Sequence, residues 1–181
     1  MLLKKFKNIK MKAEVAILIG SITDLEKIND CLQTLENFNV AYDCRVLSAH
    51  RTPDLVKEFV KKAEESGVKV IIAAASGAAH LPGVIASYTI LPVIGIPLRS
   101  QISLNGLDSI LSILQMPSGV PVATVGLDNS KNAALLALQI LAINNPSLKQ
   151  KLLNFKNDMA NKVLESQSKI DQLNYYYLTK I

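Results

Sequence analysis

At 181 residues, 49% hydrophobic but only 5% aromatic, the chain fits one domain whose core is built from Ala, Val, Ile and Leu, a composition suited to a parallel sheet covered by helices on both faces. Part of the net charge of +5 sits in one cluster, Lys4, Lys5, Lys7, Lys10 and Lys12. No stripe of arginine and aromatic residues crosses the body of the chain, which argues against a nucleic-acid-binding face.

Residues 1–12 read as a basic extension that contributes little to the fold, with Met11 an alternative start. The apolar run Val15 to Ile19 is too short for a signal peptide, and no stretch nears the ~20 apolar residues of a membrane span. A cytoplasmic protein is expected. Residues 14–19 predict a strand that ends at Gly20-Ser21. Thr23 or Asp24 can cap a helix over about 25–35, where Leu25, Ile28, Leu32 and Leu35 fall at helical spacing. A second strand covers 40–47. Pro53 suits the first turn of the next helix, whose stripe is Leu55, Val56, Phe59, Val60 and Ala63, and Gly67 ends it.

A third, fully apolar strand covers 68–75, and a helix of small residues covers 77–86. Then come a strand over 92–96, a helix over 107–114, a strand over 120–125 and a helix over 132–143. This last helix has no polar face, so it must be buried under another element or against another subunit, and a subunit interface is favoured. A further helix runs from Pro146, with a pattern that fades after Gln167 and leaves Tyr175, Tyr176 and Tyr177 in a tail. The alternation of strands and helices predicts a doubly wound parallel α/β sheet. The domain expected is 13–165, with 166–181 as tail.

In such sheets ligands bind outside the carboxyl ends of the strands. There the chain places Gly20-Ser21-Ile22-Thr23-Asp24, then Ser48-Ala49-His50-Arg51-Thr52-Pro53, then Ser76-Gly77-Ala78-Ala79-His80, then Pro97-Leu98-Arg99-Ser100. Both histidines, and every arginine except Arg45, fall in these loops. Gly20-Ser21 before a helix suits an anion, although a hydroxyl there also serves as a plain N-cap. Asp24 can cap its helix or accept hydrogen bonds from ribose hydroxyls. Arg51 can pair with phosphate in bidentate fashion or form a surface salt bridge. A cation beside His50 favours the neutral imidazole, which can act as a base. His80 either lines the pocket or is structural. Small residues over 76–79 let backbone approach a flat ligand. No dinucleotide fingerprint, Walker A loop, nucleophile elbow or zinc ligand set occurs. Cys31 and Cys44 form no CxxC pair and are expected as reduced thiols.

Taken together, GSITD (20–24), SAHRTPD (48–54), GAAHLPG (77–83), LPVIGIP (91–97), LNGLDSILSILQMPSGVPVATV (104–125) and NAALLALQIL (132–141) make the sequence resemble the class I N5-carboxyaminoimidazole ribonucleotide mutases. The resemblance implies a three-layer flavodoxin-like fold, a five-stranded parallel sheet with an extra C-terminal helix, assembled as a homo-octamer. It implies no cofactor and no metal, and a small ribonucleotide as substrate. The reaction implied converts N5-carboxyaminoimidazole ribonucleotide into the 4-carboxy isomer in purine biosynthesis, through enclosed CO2. His50 is then the general acid/base; Ser21, Asp24 and Arg51 hold the ribose phosphate; Thr23, Ser48, Gly77 and His80 line the pocket. The chain departs from the family's usual pattern at Thr23, where Ser is common, and at Ala74 and Ser76, where Gly is usual. A need for positive φ at either of the latter two would strain the backbone. The sister carboxylase, which adds CO2 directly to aminoimidazole ribonucleotide, typically carries SAHKGP where this chain has SAHRTP. A non-catalytic nucleotide-binding module of the same shape is the other alternative. A phosphorylated receiver is disfavoured, because the third strand has no aspartate.

Overall fold

The computed structural model describes residues 12–101, 103–176 and 179. Most of the basic extension expected at 1–12 lies outside the described residues, as does Tyr177. Five strands, β1 (Val15–Ile19), β2 (Tyr42–Val46), β3 (Val70–Ser76), β4 (Val93–Leu98) and β5 (Ala123–Thr124), pair in parallel in the order β2-β1-β3-β4-β5. The helices are α1 (Asn29–Phe38), α2 (Pro53–Glu65), α3 (Leu81–Ala86), α4 (Leu107–Leu114), α5 (Ser130–Ala142) and α6 (Pro146–Asp171). The chain divides into two compact units, 1–141 and 142–181. The first holds the sheet, and the second is mainly α6.

Strand alternation sorts the core into two faces. Ala16 and Leu18 of β1 and Ile71, Ala73 and Ala75 of β3 join one cluster with Val56, Val60 and Ala63 of α2, Leu81 and Ile85 of α3, and Ile113 of α4. The intervening residues Ile17, Ile19, Ile72, Ile94 and Ile96 are also fully buried and point to the opposite face. Right-handed crossovers explain this. The chain steps one way from β1 to β2 and back from β2 to β3, so α1 and α2 must lie on opposite faces.

Several boundaries differ from the sequence reading. The first helix is preceded by two 3-10 turns, 22–24 and 26–28, and becomes α-helical only at Asn29. Ser21, rather than Thr23 or Asp24, is the N-cap of the first turn, its Oγ accepting from Thr23 N at 3.3 Å. The helix expected over 77–86 starts at Leu81, because Gly77 (φ +63°) and Ala79 (φ +47°) are left-handed. The fifth strand shrinks to two residues: Pro121 has no N–H to give to a ladder. The C-terminal helix continues past Gln167 to Asp171, with Gln167 Nε2 donating to Asp171 Oδ1 at 3.2 Å in its last turn. In α5, Ala133, Ala134, Ala137, Leu138, Leu141 and Ala142 are buried within one chain. Those positions are covered by the chain itself, while Leu135, Leu136 and Ile140 remain partly exposed and are the ones a second subunit could cover. Neither Ala74 nor Ser76 has positive φ, so the strain that glycine would relieve there is absent.

Candidate active site

The strand order reverses between β1 and β3, so the connections leaving those strands diverge and a crevice opens at their carboxyl ends. A cavity of about 180 Å³ lies there. Its walls come from three separate loops: Gly20, Ser21 and Asp24 after β1; Ser48 to Arg51 after β2; and Ala75, Ser76 and Ala79 to Leu81 around the end of β3.

The loop after β2 is a small hydrogen-bonded knot. Ser48 N donates to Thr52 Oγ1 at 2.9 Å, and Thr52 Oγ1 donates to Ser48 O at 3.0 Å. The Arg51 amide donates to Ser48 Oγ at 3.3 Å. This arrangement turns His50 and Arg51 outward, and both are exposed. Arg51 Nη2 then reaches the first loop, donating to Gly20 O at 3.1 Å. Among the described residues Arg51 forms no ion pair. Among the described residues its charge therefore has no carboxylate partner and faces the cavity, where an anion could meet it.

Asp24 is the one buried carboxylate among the described lining residues. Burial pushes its pKa up, while the Lys27 ammonium and a hydrogen bond from the Ser21 backbone pull it down. Lys27 Nζ donates to the carbonyl of Arg99, tying the first loop to the end of β4. The two histidines, thirty residues apart in the chain, touch: His50 Nε2 lies 2.7 Å from His80 Nδ1.

Of the residues singled out in the sequence, Ser21, Asp24, Ser48, His50, Arg51 and His80 meet around this cavity. Thr23 and Gly77 stand just outside it. Thr23 Oγ1 donates to Ser21 Oγ at 2.9 Å and so orients a lining hydroxyl. Gly77 supplies a left-handed turn in the loop that carries His80. The fourth rim loop does not line the cavity; the Arg99 amide is bound instead to Asp128 Oδ1 at 2.9 Å. Ala79 lines the cavity as one of the small residues expected there, and Ala49 and Leu81 line it although the sequence assigns them no role. Their adjacency to His50 and His80 was the available signal. Collectively the site offers an unpaired guanidinium, hydroxyls, one buried carboxylate and a pair of imidazoles. It can bind a small phosphorylated, hydroxylated ligand and move a proton.

The family model described as AIR carboxylase matches residues 14–162. The N5-carboxyaminoimidazole ribonucleotide mutase of Pyrococcus horikoshii is 54% identical over 170 residues, covering 92% of this chain and 96% of that one. The protein of the same name from Thermotoga maritima is 50% identical, covering 89% of this chain and 94% of its own. A crystal structure of Treponema denticola PurE superposes with a TM-score of 0.79 at 29% identity, over 87% of this chain and 98% of that one.

Proposed function

The chain belongs to the AIR carboxylase family, and from that premise we propose that it is a mutase of purine biosynthesis, converting N5-carboxyaminoimidazole ribonucleotide into the 4-carboxy isomer. The observation that carries this reading is the meeting of unpaired Arg51 with His50 and His80 around one cavity. Arg51, Ser21 and Asp24 hold the ribose phosphate, with Ser48 and His80 along the walls and Thr23 and Gly77 supporting them. His50, entering the step as the imidazolium, protonates the exocyclic nitrogen as its bond to the carboxyl breaks and CO2 is released, and is left as the neutral ring. The cavity retains the CO2, C4 attacks it, and His50 takes back the proton that C4 loses. The proton count closes, so the step needs no further reactant. Holding CO2 beside C4 supplies much of the rate, since well-oriented groups reach effective molarities of order 10⁵ M or more.

With the N5-carboxy compound as sole substrate and no added bicarbonate, steady formation of the 4-carboxy isomer is expected. Turnover of aminoimidazole ribonucleotide with CO2, and none of the N5-carboxy compound, would replace this reading with the carboxylase. A relative named phosphoribosylaminoimidazole carboxylase, from Schizosaccharomyces pombe, makes that comparison worthwhile; it is 47% identical, and this chain covers 29% of it. Binding without turnover of either substrate would leave a nucleotide-binding module.

Arg51→Ala removes a charge-assisted contact of about 1.5–3 kcal/mol, so KM should rise by about tenfold or more with kcat less affected. An unchanged KM in steady-state kinetics would take Arg51 out of phosphate binding. A catalytic domain over 13–165 and a cytoplasmic location are also proposed; among the described residues no helix is long and apolar enough to cross a membrane. A homo-octamer is the proposed assembly, supported by Leu107, Leu111 and Leu114, which leave an apolar stripe exposed on α4. Sedimentation of the purified chain tests it.

A further inference from the structure

The two imidazoles meet nitrogen to nitrogen, with ring planes at 81° and centroids 4.9 Å apart. At a separation of 2.7 Å one hydrogen lies between His50 Nε2 and His80 Nδ1, so one ring donates and the other accepts. A neutral imidazole carries a single N–H. Whichever way the bond runs, the nitrogen on which His50 carries its hydrogen is therefore decided jointly with His80.

The backbone under His80 is shaped for this contact. Ala79 is left-handed at φ +47° although it has a side chain, a conformation uncommon outside glycine, and Gly77 two residues earlier is left-handed as well. The turn is closed by Ala79 N donating to Ser76 O at 3.2 Å. It is anchored from α4 by Ser112 Oγ, which donates to the carbonyl of Ala78. Ala79 is buried and His80 exposed, so the turn sends the imidazole outward over the cavity. An uncommon backbone conformation held in place by its surroundings points to function. On the facing loop, the bonds between Ser48 and Thr52 hold the segment that carries His50.

We propose that His80 is a positioning residue for His50: the Nε2–Nδ1 bond fixes the ring plane and the tautomer of the acid/base before substrate arrives. The inference rests on the acid/base role given to His50 above. An unrestrained imidazole exchanges tautomers and turns about its last torsion. In the wrong tautomer the neutral ring, having given up its proton, presents an N–H where the lone pair that takes the C4 proton is required.

The chain has only two histidines, so ring nitrogen signals can be assigned by single substitutions. Solid-state 15N spectra of histidine-labelled full-length protein should show one dominant tautomer at His50. In His80→Ala those signals should shift toward a mixture, while kcat falls about tenfold or more with KM little changed. His80→Asn places an amide near the position of Nδ1, gives His50 a partner again, and should recover much of the lost kcat. Unaltered His50 signals in His80→Ala overturn the proposal, and so do equal kcat losses in the Ala and Asn variants. The spectra read the bond without turnover. If His50→Asn were as active as wild type, the acid/base reading would fail while the ring signals still reported whether His80 orients His50.

Discussion

His50→Asn is expected to fold as the wild type does, bind ligand near-normally, and turn over about 10²-fold or more slowly. His50 is exposed at the rim of the cavity, so its replacement leaves no buried void. Asparagine keeps a polar amide near the position of Nδ1, though short of the Nε2 that meets His80. It cannot take up and return a proton at neutral pH, and that is the capacity the reaction needs. The effect should fall on kcat, because the phosphate contacts belong to Arg51, Ser21 and Asp24. Steady-state kinetics on the purified variant, beside a thermal melt matching the wild type, make the measurement. Wild-type turnover would remove His50 from the mechanism.

Gly95→Ala is expected to give a large loss of stability from a single methyl group. Gly95 lies within β4, between β3 and β5. A Cβ there would sit 2.4 Å from Ile113 Cγ2 and 3.0 Å from Val122 Cγ1. Ile113 is fully buried in the core cluster, so the strand and α4 would have to separate. Overpacking of this kind costs about 1–3 kcal/mol. The opposing gain from restricting the unfolded chain is about 0.4–1 kcal/mol, so the crowding should dominate. Gly83→Ala is the control. Its Cβ would meet Met116 Sδ at 2.3 Å, but that atom lies toward the end of a flexible, half-buried side chain that can swing aside. Urea midpoints should therefore fall clearly for Gly95→Ala and little for Gly83→Ala. Equal midpoints for the two would show that α4 yields more easily than its packing implies.

The legible parts of this molecule share a physical cause. Val70 to Ala75 contains no polar side chain, and a segment of that kind is stable only when both of its faces are covered. Pro53 at the first helical turn and Gly67 after the last helical residues bracket α2 by backbone geometry alone. Where local signals competed, the boundaries moved. Asp24 looked like a cap, yet its carboxylate is buried beside the cavity and Ser21 does the capping. The apolar sides of α5 suggested another subunit; six of its residues are covered within one chain, and Leu135, Leu136 and Ile140 stay partly exposed.

By itself, the sequence determined that there would be a parallel sheet and which loops would follow its strands, because apolar runs, prolines and glycines act over a few residues. It also placed both histidines and Arg51 in those loops. Only the tertiary structure decided that the loops after β1, β2 and β3 share a cavity while the loop after β4 does not. It alone brought His50 onto His80 and Arg51 onto the carbonyl of Gly20. Those contacts depend on strand order, crossover direction and a left-handed alanine, which arise from packing across the whole sheet and leave no mark in local residue spacing.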